Sequence, residues 1–339
     1  MTFTRSSDIL TVVRGQHGTT AKSASEGGSV QECKIYDNVN VVDIIYDQLV
    51  NFAGIPASYI PYNNDPANPD EWDVEYANWL TLKDYYTIIS KPTGVQTLIE
   101  ELTEQSLIML WWDEASQKIK LKVIAPPGSG EVVTSINDNY HILEKSLSVK
   151  HEDAKRYTEI WVYYGVKNWV EVKDEEDYET LYIHAELDKE GVDLYGDKRI
   201  KKIKSRWITT DSQAVIYSGR FMLMSKETPV TVTLKVDAKD SDIKTGDFID
   251  MTTRVIVGQT GEAVEKRYHV VEVKESSLGH EYQLTLITSG FLIGVSYGYI
   301  APNTAPDYGS ATEEEKDTYA YIAPNTGNFP DGREPYKII

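Results

Sequence analysis

Between His141 and Ile287 the chain is a succession of short runs that alternate in polarity or are rich in β-branched residues: Glu159–Tyr164, Leu181–Ala185, Val230–Val236, Phe248–Val257, Arg267–Val273 and Tyr282–Ile287. Successive side chains on a strand point to opposite faces, so runs of this kind bury one face and wet the other. Only one helix interrupts them. Asp211 is its expected cap, Ala214, Val215, Tyr217, Ser218, Phe221 and Met222 line one side, and Pro229 lies beyond its end. Many strands at short spacing with a single helix predict a small barrel or sandwich.

The first half of the chain is mixed. Phe3-Thr4-Arg5 and Ile9–Val13 read as two short strands around a Ser-Ser-Asp turn, followed by a glycine-rich loop. Val42, Ile45, Leu49 and Phe52 recur at helical spacing, with Asn40 placed to cap and Gly54 to stop. Residues from Ile60 to Asp70 form a Pro/Asn-rich loop. Thr93 with Gln96 gives a capping-box pattern ahead of a second helix from about Gly94 to Gln105. Leu107–Trp112, a turn at Asp113–Ser116 and the alternating Lys118–Val123 predict a β-hairpin. Pro126-Pro127-Gly128 then breaks the chain.

The last stretch holds an internal repeat: Tyr299-Ile300-Ala301-Pro302-Asn303-Thr304 recurs as Tyr321-Ile322-Ala323-Pro324-Asn325-Thr326. Each proline ends its strand, because it cannot donate to a ladder. Ser310–Lys316 between the copies is a helix start, since a Ser or Thr cap precedes acids that suit the helix dipole. The expected class is therefore mainly β with a few helices, α+β. Its expected segments are 1–36, an N-terminal β segment that completes a sheet; 37–127, an α/β segment with the hairpin; 128–292, a barrel-like β domain; and 293–339, a docking segment.

Composition narrows function. Fifty-three acidic against 34 basic residues give a net charge of −19, which repels a phosphate backbone. The single cysteine, Cys33, rules out an internal disulfide. The longest apolar runs fall far short of the ~20 residues that cross a bilayer, and the first residues lack the plan of a secretion signal. No phosphate loop, dinucleotide fingerprint, nucleophile elbow or His-Glu-x-x-His pair occurs. His184, Glu186 and Asp188 would share one strand face, and Asp237, Asp240 and Asp242 cluster, but the first set reads as a solvated face and the second as a turn. No catalytic residue, metal or cofactor is expected.

Lys198–Arg206 is the one basic cluster, and its expected partner is protein, with acidic Asp174–Asp177 a candidate. Trp111, Trp112 and Trp161 read as core positions before sugar-stacking ones.

The opening Phe3-Thr4-Arg5-Ser6 with Asp8–Thr19 and Val30-Gln31 resembles a segment of tail-hub and tail-tip proteins of long-tailed bacteriophages and gene transfer agents. Leu110-Trp111-Trp112-Asp113-Glu114 with Lys118–Leu121 is similar to the same family, as are the closing Phe329–Ile339 and the Gly246-Asp247 turn before Phe248. The resemblance implies a trimeric hub whose barrel-like domains ring the tail channel, made in the host cytoplasm and built into the virion's tail tip. Implied partners are copies of itself, distal-tail and tail-tip proteins, the tape measure and a central fibre, with DNA passing through without stable binding. Relatives of this type carry a further domain before the opening segment and a fibre region after the closing one; these are expected on separate chains, the Phe3 strand completing a neighbour's sheet. Expected interface residues are Phe3 and Arg5, the repeat residues Tyr299, Ile300, Pro302, Tyr321, Ile322 and Pro324, Tyr336, and Lys201 and Lys204. The rival expectations are a tail-borne receptor- or glycan-binding adhesin and a cell-wall hydrolase.

Overall fold

The computed structural model describes residues 2–6, 9–14, 20–21, 23, 32–80, 84–127, 131–170, 172–185, 198–225, 228–258, 261–288, 299–300, 306–321 and 329–330. The chain opens on an antiparallel hairpin of β1 (Thr2–Ser6) and β2 (Ile9–Val13), with Thr2 opposite Val13 and no third strand among the described residues.

Asn40 behaves as its sequence position predicts. Its side chain accepts the Asp43 N–H at 2.7 Å, starting α1 (Val41–Asp47), which runs on as a wider turn over Gln48–Phe52 before Gly54 at φ +72°. β3 (Lys34–Asn40) leads into this helix and pairs antiparallel with β4 (Asp84–Ile89) across a bulge between Tyr36 and Val39.

Between them lies α2 (Glu71–Glu75), whose Trp72 is wholly buried and donates its indole N–H to the Ile119 carbonyl at 3.0 Å. The preceding Asn-rich loop is tied down by one carboxylate. Asp73 accepts the backbone N–H groups of Asn63, Asn64 and Asp70 at 3.3, 3.1 and 3.0 Å. Replacing it with alanine strands three donors, so Asp73→Ala is expected to lower the unfolding free energy by about 2 kcal/mol in urea titration. A loss under about 0.5 kcal/mol would show that water serves those donors equally well.

α3 (Val95–Ser106) forms one residue later than its pattern suggests. Gly94 is the capping position, while the Thr93 hydroxyl donates to the Lys91 carbonyl at 3.1 Å, so the expected capping box is not made. Leu107, at φ +55°, ends the helix. The hairpin of β5 (Ile108–Asp113) and β6 (Lys118–Val123) follows, Trp111 opposite Lys120 and Trp112 opposite Ile119.

The remaining strands are β7 (Val133–Asn137), β8 (Ser148–His151), β9 (Glu159–Val166), β10 (Tyr178–Ala185) and β11 (Ile200–Lys204), then α4 (Asp211–Ser225), then β12 (Val230–Asp237), β13 (Phe248–Thr252), β14 (Lys266–Ser277) and β15 (Glu281–Ile287). They make two sheets. One has the order β10-β9-β11, with β11 parallel to β9; the other is six-stranded in the order β7-β13-β14-β15-β12-β8, with β7 parallel to β13. The six-stranded sheet is open, with β7 and β8 as its edges, and no described sheet closes into a barrel. The mainly β, α+β class holds, and the barrel expectation is corrected. The strand expected to reach Val257 stops at Thr252, where the chain turns through Arg254 and Val255. Asp211 does not cap α4: the Thr210 hydroxyl accepts the Gln213 N–H at 3.4 Å, while the Asp211 carboxylate takes the Tyr164 hydroxyl.

Among the described residues two buried cores result, and the first draws on residues from both halves of the chain. The first gathers Val42, Ile45, Trp72, Leu98 and Leu102, and adds Ile160, Val162 and Tyr164 of β9, Ile203 of β11, Trp207, and Ala214, Tyr217 and Met222 of α4. The second is the inner face of the six-stranded sheet: Ile136, Val232, Leu234, Val236, Ile249, Met251, Tyr268, Val270, Leu284 and Leu286. The three-stranded sheet and α4 thus interrupt the second unit in sequence while packing in the first. Beyond them, β16 (Tyr299–Ile300) pairs parallel with β17 (Tyr319–Ala320), and α5 (Glu313–Thr318) starts from a reciprocal cap between Thr312 and Glu315.

Candidate functional site

Strand alternation places Ile249 and Met251 in the second core, which turns Phe248 to the opposite face of the sheet; in the same way Tyr268 and Val270 face the core and His269 faces away. An outward face ordinarily meets water. Phe248 and His269 are nevertheless 1% and 0% exposed, directly opposite one another on β13 and β14, and their rings stack at 4.6 Å and 9°. The first unit comes down over this pair with the β5–β6 hairpin: Lys122 Nζ lies 6.0 Å from the Phe248 ring centroid, and Trp111 packs against the turn before β13.

That turn needs its glycine. Gly246 has φ +98°, and a Cβ there would stand 3.0 Å from Trp111 Cη2 and 3.8 Å from Lys122 Cβ. Its N–H donates to the Val270 carbonyl at 2.8 Å, and its own carbonyl accepts from His269 Nε2 at 3.0 Å. A carbonyl can only accept, so Nε2 carries the proton and Nδ1 is bare, buried and without a partner among the described residues. Burial, the dominant cause, pushes the His269 imidazole down to about 4, with Lys122 adding to the effect.

Lys122 itself sits between Glu75 at 3.0 Å and Glu131 at 2.7 Å. Burial works against its ammonium, but the two carboxylates outweigh it and hold the group above its ordinary range. Beside this joint opens a cleft of about 780 Å³, lined by Trp111, Trp112, Lys122, Glu131, Asp247 and Tyr282 among others. Burial raises the Asp247 carboxyl above its ordinary value. Trp112 is 47% exposed on the rim, edge-on to Tyr59 at 5.5 Å. Neither tryptophan of the pair is in a core: Trp111 lies at the joint and Trp112 faces solvent.

The basic cluster lies along β11 and the chain on either side of it, and its charges are largely met within the same chain. Lys201 pairs with Glu104 at 3.1 Å, Lys202 with Glu175 at 2.8 Å, and Arg206 with Glu101 at 3.0 Å. Lys204 donates to the Lys173 carbonyl at 2.7 Å, and Lys198 bonds Glu159. The acidic segment expected in a partner is therefore matched to this stripe in cis, through Glu175. Trp161 lies on the outer face of the same sheet, half-buried beneath Lys202 Nζ at 5.3 Å.

The other expected interface residues fall as follows. Phe3 and Arg5 lie on β1, whose hairpin exposes Ile9 and Val13. Tyr299 and Ile300 form β16, pairing with Tyr319 and Ala320, the residues just before the second copy of the repeat. Tyr321 is half-buried, edge-on to Tyr308 at 5.3 Å, and Tyr308 stacks on Phe329 at 4.0 Å. Pro302, Ile322, Pro324 and Tyr336 lie outside the described residues, as do Glu186 and Asp188. His184 points inward to the Ser218 hydroxyl at 3.4 Å, and Asp237 caps a short turn by accepting the Lys239 N–H at 2.9 Å. Among the described residues no group of three or more His, Cys, Asp or Glu side chains is placed to hold a metal, and no helix is long and apolar enough to cross a membrane.

One α+β core and one core on the inner face of an open six-stranded sheet make up the described fold. Among solved structures the chain is similar to a component of the virion of a native gene transfer agent particle (13% identity, 62% of this chain and 42% of that one, TM-score 0.42). It is also similar to the 43 kDa tail protein of prophage MuSo2 from Shewanella oneidensis (11%, 76% and 67%, TM-score 0.45) and to a tail protein from Neisseria meningitidis MC58 (10%, 77% and 70%, TM-score 0.43). The chain spans less than half the length of the gene transfer agent chain. No protein-family model and no curated protein sequence matches it.

Proposed function

We propose that the chain is a structural subunit of a phage tail tip, acting by assembly and not by catalysis. In this reading copies of it, as a trimer, form a hub ring around the tail channel, joining the tube and tape measure to a central fibre and letting DNA pass. The sequence resemblance of the opening, hairpin and closing segments supports it, and the proteins it is similar to in structure are named as tail or virion components. The observation that carries it is the opening hairpin. Among the described strands β1 and β2 pair only with each other, and Ile9 is 70% and Val13 55% exposed. Two-stranded hairpins are marginal in water, so this one gains stability by adding to a sheet elsewhere. A net charge of −19 suits a channel through which DNA slides without sticking.

Sedimentation at micromolar concentration tests this. The full chain is expected to run as a trimer or larger closed assembly, and a chain lacking residues 1–14 to lose that state while keeping its far-UV spectrum. A monomeric full chain with clearing activity in a peptidoglycan gel would instead establish the hydrolase reading.

A second reading, a glycan-binding surface, is favoured by exposed Trp112 beside Tyr59 on the rim of the cleft. It predicts that Trp112→Ala abolishes binding of the isolated chain to host cells.

A further inference from the structure

We propose that the joint between the two units is an acid-released latch, with His269 as its trigger. Phe248 and His269 stand on the face of the six-stranded sheet that carries none of its core, and they are sealed where Trp111, Lys122 and the Gly246 turn close over them. Among the described residues a charged imidazole at this position has no acceptor for its second proton. Nε2 is already committed to the Gly246 carbonyl, Nδ1 faces no described partner, and the Lys122 ammonium stands beside the stacked pair. The cheapest way to hydrate the new charge is to part the units, because the open cleft already reaches Gly246, Asp247 and Lys122.

The charged groups around the joint bear on the direction, and the walls of the cleft beside it also carry Glu71, Asp113, Glu114, Lys120 and Glu275. From β6 comes Lys122, from the segment before β7 Glu131, from α2 Glu75, and from the turn itself Lys244 and Asp247. Glu131 favours a protonated His269 and Lys122 opposes it.

The sign follows from linkage. His269 takes up its proton near 4 when sealed and near the ordinary 6.5 when the joint is open, so in that window the open form binds more protons. The closed form is favoured in full above 6.5 and loses ground as pH falls towards 4. The closed-to-open ratio is expected to fall on the order of 50-fold between pH 7 and pH 4.5.

The test places two dyes on the full chain, at Glu114→Cys on the β5–β6 turn and at Leu278→Cys on the β14–β15 turn, in a Cys33→Ser background. Energy transfer should change between pH 7 and pH 4.5 with the far-UV spectrum constant. His269→Gln, uncharged and still able to donate to Gly246, should hold the neutral-pH value throughout. In the unmutated joint, nitrogen NMR of the His269 ring should give the same midpoint as the energy transfer, a check that stands even if the glutamine variant folds poorly. Transition of His269→Gln at the original pH, or a ring midpoint separate from the opening midpoint, overturns the proposal.

Discussion

Trp207→Ala is expected to cost about 3–5 kcal/mol, a large loss for a single truncation in the first unit. Trp207 is wholly buried, its ring lies 6.2 Å from that of Tyr36 and 6.3 Å from that of Tyr85, and its indole N–H donates to Glu101 at 2.9 Å. Removing it leaves a void between β3 and β4 and strips Glu101 of one of its donors, though Arg206 still pairs with that carboxylate. Because β3, β4, α3 and the chain after β11 all converge on this ring, the void has no flexible wall to collapse it. Trp207→Phe keeps most of the packing and loses the N–H, so it should cost about 1–2 kcal/mol. Urea unfolding of the two variants checks the order; an alanine variant within about 1 kcal/mol of the parent would mean that the core is not built on this residue.

Gly246→Val is expected to destabilise by about 2–4 kcal/mol, and to do so at the joint. Two costs add: a φ of +98° that a branched side chain does not adopt, and a Cβ 3.0 Å from the Trp111 ring. Only the second involves Trp111. Combining Gly246→Val with Trp111→Leu should therefore return part of the loss, with a coupling of about 1 kcal/mol in a double-mutant cycle. Strict additivity would show that the ring and the turn do not meet in solution.

Local structure was legible where the cause is local. Asn40, Gly54 and the spacing of Val42, Ile45 and Leu49 mark α1 because cap, stop and stripe all lie within fifteen residues. The β5–β6 hairpin is equally plain. Partnership was not legible, because alternation says which residues share a face and not what covers it. β9, β10 and β11 alternate as β12 to β15 do, yet they pack in the other core, under α4. Phe248 and His269 have the pattern of outward positions, and only the arrival of a distant hairpin buries them. The Gly246 turn and Trp111 each stand out in the sequence, but nothing in either announces the other.

The lysine stripe shows the same limit from the charge side. A basic run in an acidic chain reads as a docking surface, yet Glu101 and Glu104 of α3 and Glu175 reach it from elsewhere in the same chain. Exposed pairs of this kind are worth little singly. They do lower the positive potential that a partner would meet.

Gold labelling of this chain on intact particles tests the assembly reading most directly. Labels confined to the far end of the tail, in a count that matches a closed ring, are what a tail-tip hub requires. Labels scattered along side fibres, or none on particles while the free chain degrades cell wall, would contradict it.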